Sequence, residues 1–301
     1  MKTKYLGIDV GGTNIKSIVL NDVGEILDKD TIATEDSSTN PEKWKQNIID
    51  LIDKKTQKFA NGNSDLIKCG ISAPGLVDQE NKQILTMPNR LSGLEGFNWS
   101  THLNRNIHVI NDAHSACLAE YETFYKKDIQ HMILLTLGTG VGGAVIINGQ
   151  LFQGCIQRAG HLGHITVDHM GATTMTNMVG SLEYAIGNFS VEERTNGKFK
   201  TTKDLVAAYK NNNPLASYWW LSSIQKLATA LGSLINTLSP ELIVIGGGIA
   251  EADNDLFNPL NEFISLYEWR PNNQQTTIKK AQYGNYAGAV GAAFFAKQKI
   301  N

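Results

Sequence analysis

The chain reads as an α/β protein of two lobes, each a sheet with helices packed against it. Three observations predict this. A strand, glycine turn, strand module occurs twice, as Leu6-Gly7-Ile8-Asp9-Val10-Gly11-Gly12-Thr13-Asn14-Ile15-Lys16 and as Leu135-Thr136-Leu137-Gly138-Thr139-Gly140-Val141-Gly142-Gly143-Ala144-Val145. Apolar strands and helical patterns alternate between and after these modules, which favours a mostly parallel core. The 301 residues also exceed the length at which one hydrophobic core usually stops growing, so two domains are expected.

The elements follow in order. Residues 5–10, 15–20 and 25–33 read as strands, the last two joined by Asn21-Asp22-Val23-Gly24, whose residues suit a turn. Residues 41–60 read as a helix with Trp44, Ile48, Leu51, Ile52 and Phe59 at helical spacing and Pro41 in the first turn. Residues 66–72 form a buried strand stopped by Ala73-Pro74-Gly75, and 107–110 another, followed by Asn111-Asp112 and a helix reaching Tyr125. The pattern restarts at His131 with strands at 132–137 and 143–147, the turn Asn148-Gly149, and Leu151-Phe152. That self-similarity suggests duplicated lobes. Residues 201–238 read as helical, with Ile224, Leu227, Ala228, Leu231, Leu234, Ile235 and Leu238 as one apolar stripe for the core. Residues 242–245 make a strand entering Gly246-Gly247-Gly248. In the last helix, 285–297, Gly288, Gly291, Ala292 and Ala293 permit close packing, as at a hinge.

Composition narrows the function classes. With 42% hydrophobic and 19% charged residues the chain is an ordinary globular one, and a net charge of -2 offers no electrostatic case for nucleic acid. No run approaches a membrane span, and Met1-Lys2-Thr3-Lys4 leads into a strand with no signal-peptide core. Cys69, Cys117 and Cys155 are few, scattered and odd in number, which fits a reducing compartment; a cytoplasmic location is expected.

Chemistry concentrates at a few motifs. In the first module Gly11 and Gly12 turn tightly, Thr13 offers a hydroxyl and an N–H, Lys16 a charge, and Asp9 a carboxylate at a strand end that can orient Mg²⁺ through water. A plain β-hairpin would account for the same residues. Gly138, Thr139 and Gly140 form the second turn; a strand follows it, whereas a dinucleotide fingerprint needs a helix there. Two clamps on phosphate oxygens imply a nucleotide and phosphoryl transfer. Gly246, Gly247 and Gly248 would let a flat ring lie against the backbone, or make a flexible loop. Asp112 suits a helix N-cap, and equally a general base accepting the proton of an attacking hydroxyl. His161 and His164, with His169, could hold a metal, although hydrogen bonds to a polar substrate are the preferred reading.

The order and spacing of these motifs over the whole chain resemble the ROK family of repressors and sugar kinases, members of the actin-like ATPase superfamily. The resemblance implies a two-lobed, ribonuclease H-like fold with a cleft, the first lobe at 1–118 plus 285–301 and the second at 119–284. It implies ATP-dependent phosphorylation of a hexose hydroxyl, with glucose as the expected substrate. A kinase for N-acetylmannosamine or a β-glucoside, and a sugar-binding sensor without catalysis, are the alternatives. By resemblance Asp112 is the catalytic base; Asn89, Asn111, His164, Glu183 and the loop at Gly75 serve the sugar; ATP and Mg²⁺ are the cofactors; and a homodimer is expected. Two departures stand out. The stretch 169–181 lacks the family's zinc-binding cysteines, with Ser181 at the last of them, so no structural zinc is expected. His161 stands where the family has a sugar-binding Glu, replacing an acceptor with an imidazole that can also donate. The first strand begins near Lys4, so a repressor's DNA-binding domain is not expected ahead of it.

Overall fold

The structure, a computed structural model, describes residues 2–36, 40, 42–87, 91–174 and 177–299. Pro41 and Asn89 lie outside the described residues. The chain divides into two compact units: Met1–Asp128 with Gln153–Ala159 and Tyr283–Asn301, and Ile129–Phe152 with Gly160–Gln282.

The first unit is built on β1 (Lys4–Val10), β2 (Asn14–Leu20), β3 (Ile26–Ala33), β4 (Ile67–Ala73) and β7 (Ile107–Asn111), in the order β3-β2-β1-β4-β7. The meander β1-β2-β3 is antiparallel, and β4 and β7 then add parallel to β1. Between them β5 (Leu76–Val77) and β6 (Ile84–Thr86) form a separate small hairpin, and α2 (Trp99–Leu103) precedes β7. α1 (Lys43–Ala60) lays Trp44, Ile48, Leu51 and Ile52 on the sheet. Its Lys55 is buried and donates to Asp28 at 2.5 Å and Asp30 at 3.0 Å on β3. α3 (Asp112–Glu120) is followed by a π-helical turn at Tyr121–Tyr125, so the expected single helix changes pitch at Tyr121. The other face of the sheet carries α9 (Ala287–Gln298), packed with Tyr5, Ile18, Leu20 and Ala119. A Cβ at Gly7 would collide with the Ala289 carbonyl, one at Gly70 with that of Ala292, and one at Gly291 with that of Ser115. The small residues of α9 thus serve backbone-close packing inside this unit. Glu120 Oε1 accepts the Tyr283 N–H at 2.6 Å, keeping residues beyond 118 with the first unit.

The second unit repeats the scheme. Its sheet runs β10-β9-β8-β11-β12, from β8 (Met132–Leu137), β9 (Val141–Ile147), β10 (Gln150–Leu151), β11 (Leu242–Gly246) and β12 (Thr277–Lys280). Again three strands are antiparallel and two follow in parallel. The core is a cluster that includes Ile133, Leu135, Trp220, Ile224, Leu231 and Ile243. Two short helices, α4 (Leu182–Ile186) and α5 (Val191–Arg194), lie between β10 and the long helical region. The expected continuous helix over 201–238 is two helices, α6 (Thr202–Lys210) and α7 (Pro214–Leu238). Asn212 adopts φ 56°, Asn213 caps α7 and Pro214 starts it, so the backbone bonds cannot run through. On α7, Trp220 is wholly buried with its indole N–H on the Asp255 carbonyl at 2.9 Å, while Trp219 is partly buried against the core. α8 (Asn254–Tyr267) places Leu256, Leu260 and Ile264 inward.

Candidate active site

In each unit the chemistry-bearing residues sit where parallel strands end, at the carboxyl edge typical of ligand sites in α/β sheets. In the first unit, register pairs Asp9 with Ser72 and Ala73 with Asn111, so the ends of β1, β4 and β7 bring Asp9, Gly75 and Asp112 to one edge.

Asn111, not Asp112, is the N-cap of α3. Its backbone is extended (φ -62°, ψ 147°), and its Oδ1 accepts the N–H groups of Ala113 and His114 at 2.9 and 3.2 Å. Its Nδ2 donates to the Gly75 carbonyl at 3.0 Å, joining the helix start to the loop after β4. With capping done by Asn111, Asp112 occupies the first helical position, where its Oδ1 accepts the Ala113 N–H at 2.8 Å. Its carboxylate is reachable from solvent, yet crowding by protein, and then the neighbouring Asp9 charge, push its pKa up to about 6. Asp9 is also raised, by burial, against the opposing pull of the Ser72 hydroxyl at 2.8 Å and the charge of Lys16, its register partner on β2.

The first glycine turn is braced from behind. Gly11 N–H donates to the Asn14 carbonyl at 3.1 Å, Thr34 Oγ1 donates to Gly11 O at 2.6 Å, and Thr34 N–H to Thr13 O at 3.0 Å. Nothing in the chain comes within 4 Å of a Cβ built on Gly12, so internal packing does not require glycine there.

In the second unit, Gly138, Thr139 and Gly140 link β8 to β9, with the Gly138 N–H on the Gly140 carbonyl at 3.0 Å. Val141 and the two residues after it belong to β9, so Gly142 and Gly143 are strand residues and only the first part of the run is turn. Gly247 has φ 87°, and a Cβ on it would strike the Leu137 carbonyl, so only glycine brings the end of β11 this close to β8. A pocket of about 590 Å³ opens here, lined by Gly138, Thr139 and Gly248 together with Thr202, Lys203 and Val206 of α6. Of the three glycines expected beside adenosine, Gly248 lines this pocket and Gly246 and Gly247 do not. The sequence motifs missed α6 as a wall. Thr201 and Asp204 form a capping box that marks where the helix starts, yet local chemistry does not say what it faces.

Glu183 points at the second turn: its Oε2 accepts the Val141 N–H at 3.4 Å, and a Cβ on Gly140 would strike the same oxygen. His161 precedes the short turn Leu162–His164 and His164 ends it, with their rings stacked, centroids 6.1 Å apart. Among the described residues no three His, Cys, Asp or Glu side chains gather to hold a metal. The Ser181 hydroxyl accepts the Tyr184 N–H at 3.2 Å as the cap of α4. No helix among the described residues is long and apolar enough to cross a membrane.

Comparison with known proteins decides the family: the ROK family model matches residues 5–299. The chain belongs to the ROK family. It is 32% identical to a glucokinase of Halalkalibacterium halodurans, over 99% of this chain and 96% of that one. Among solved structures it is similar to a ROK hexokinase from Thermus thermophilus (TM-score 0.84, 25% identity, 99% of this chain and 100% of that one). It is also similar to a ROK family glucokinase from Streptomyces griseus solved with glucose and AMPPNP (TM-score 0.74, 25% identity, 98% and 99%). The two units therefore form the actin-like ATPase fold that the sequence leads one to expect.

Proposed function

We propose that this ROK-family sugar kinase transfers the γ-phosphoryl group of MgATP to a hexose hydroxyl, and that its substrate is glucose, yielding glucose 6-phosphate. The observation that carries the reading is Asp112: a carboxylate freed from capping, held at a helix start, with its pKa raised to about 6. A base that ionises near neutral pH can accept a proton as the hydroxyl oxygen attacks. The likeness to glucokinases supports glucose.

In this mechanism Asp112 accepts the hydroxyl proton, the sugar oxygen bonds to the γ-phosphorus, and the bond to the β,γ-bridging oxygen breaks to release ADP. Backbone N–H groups at Gly11, Gly12 and Thr13, and those at Gly138, Thr139 and Gly140, serve to stabilise charge on phosphoryl oxygens. Asp9, which accepts the Ser72 hydroxyl at 2.8 Å, would orient through water the Mg²⁺ that arrives with ATP, and that ion would offset phosphate charge. The pocket beside Gly248 takes the nucleoside. Asn111, the Gly75 loop, His161, His164, Glu183 and Asn89 serve the sugar. The same reading takes the chain as a homodimer.

The test is a coupled ADP-release assay with MgATP over glucose, mannose, glucosamine, N-acetylglucosamine, N-acetylmannosamine, fructose and a β-glucoside, with Asp112→Asn as control. Turnover of glucose above the other sugars, lost in the control, is the expected result. Preference for N-acetylmannosamine would reassign the substrate. Calorimetric binding of a sugar without turnover of any would replace the kinase with a sensor.

A further inference from the structure

Arg194, at the end of α5, is a half-buried cation in the second unit. Its Nη1 donates to the Gly187 carbonyl at 3.0 Å and to Ser190 Oγ at 3.1 Å. Those two residues bracket Asn188 and Phe189, whose N–H groups donate to the carbonyls of Gly138 and Thr139, both at 3.0 Å. The peptide planes of the second glycine turn are thereby oriented, carbonyls held by the protein. Asn188 also accepts the Thr202 N–H through Oδ1 at 2.8 Å, which fixes the start of α6. Asn188, Thr202, Gly138 and Thr139 all line the pocket. A single guanidinium therefore clasps the segment to which two of the pocket's walls are tied.

The clasp alone does not explain an arginine. Both acceptors of Nη1 are neutral, no carboxylate pairs with the guanidinium among the described residues, and Nε and Nη2 are buried without partners. Burial pulls its pKa down to about 10, which still leaves it charged at neutral pH. An uncompensated buried charge weakens the fold unless an anion lies near it.

We propose that Arg194 is a positioning residue for the nucleotide: it locks the Gly187-to-Ser190 segment that orients the second glycine turn, and its unpaired charge favours a polyphosphate bound at that turn. The inference rests on the kinase reading, and it extends that reading to a residue no glycine motif marks.

Arg194→Met and Arg194→Lys in the full chain test it, by calorimetric titration with Mg-AMPPNP and, separately, with glucose, alongside steady-state KM values and the thermal midpoint. In Arg194→Met, nucleotide affinity should fall about 10-fold or more and the KM for ATP rise in step, because a displaced turn misplaces the phosphates. Glucose affinity should stay within about twofold. Arg194→Lys, which keeps the charge and loses the fork, should show a smaller loss of the same kind, and it carries the test if the methionine variant does not fold. Wild-type nucleotide affinity in either folded variant would overturn the inference. So would parallel loss of nucleotide and glucose binding with a lowered thermal midpoint, the mark of a merely structural role. A wild-type chain that binds no Mg-AMPPNP would overturn the kinase reading and this inference together. Normal wild-type binding with an unaffected variant would overturn the inference alone.

Discussion

Asp112 carries the heaviest single-residue argument, and its consequences differ for rate and for stability. Replacing it by asparagine keeps the shape of the helix start and removes the base. Turnover should fall by about 10²–10⁴-fold with sugar affinity largely unchanged, the usual range for a lost acid–base group; single-turnover kinetics beside calorimetry checks this. In the wild-type chain kcat/KM should decline as pH falls through about 6, where the carboxylate takes up its proton. Stability runs the other way. The folded pKa lies above the ordinary value of about 3.9, so the folded state binds the proton more tightly than the unfolded chain does. The ionised group therefore weakens the fold above about pH 6, and that effect vanishes below the unfolded pKa. Asp112→Asn should accordingly melt no lower than the wild type at pH 8, with any gain disappearing near pH 4; a lower midpoint at pH 8 would contradict the raised pKa of Asp112.

At the scale of elements, two kinds of glycine separate. Gly291 of α9 faces the Ser115 carbonyl of α3, Gly70 of β4 faces the Ala292 carbonyl of α9, and an added methyl has no room at either. Gly291→Ala should destabilise the chain by about 1–3 kcal/mol, as overpacked cores do, measurable by denaturant unfolding. Gly12 is the opposite case. Nothing crowds its Cβ position, so Gly12→Ala should leave stability within about 0.5 kcal/mol while raising the KM for ATP. An unchanged KM would remove the first turn from the phosphate site. Hairpins were legible from sequence because glycine turn chemistry and apolar alternation are local signals. β12 was not: Thr277-Ile278-Lys279-Lys280 has no apolar run, and it is a strand because β11 offers it an edge. The cap of α3 was misplaced by one residue: the sequence suggests Asp112 as an N-cap, whereas the extended backbone at Asn111 gives that task to Asn111.

For the whole molecule, the first unit is discontinuous in sequence, and α9 returns to complete it with Ala289, Val290, Ala293 and Phe294 against Tyr5, Ile18 and Leu20. A chain ending at Gln282 should therefore lose the cooperative unfolding transition of that unit, as seen by circular dichroism and calorimetry; an intact transition would show that α9 is dispensable. The duplication itself was readable from sequence, because two copies of one glycine-turn module lie in one chain. The matching sheet orders, β3-β2-β1-β4-β7 and β10-β9-β8-β11-β12, extend that reading to all five strands of each main sheet. Strand edges, turns and the candidate base were determined by the sequence alone, since each depends on residue type and near neighbours. The pocket wall on α6, the clasp of Arg194 on Gly187 and Ser190 and the raised pKa of Asp112 were decided only by the tertiary structure, since each depends on which groups the fold brings beside a residue and how much water it removes.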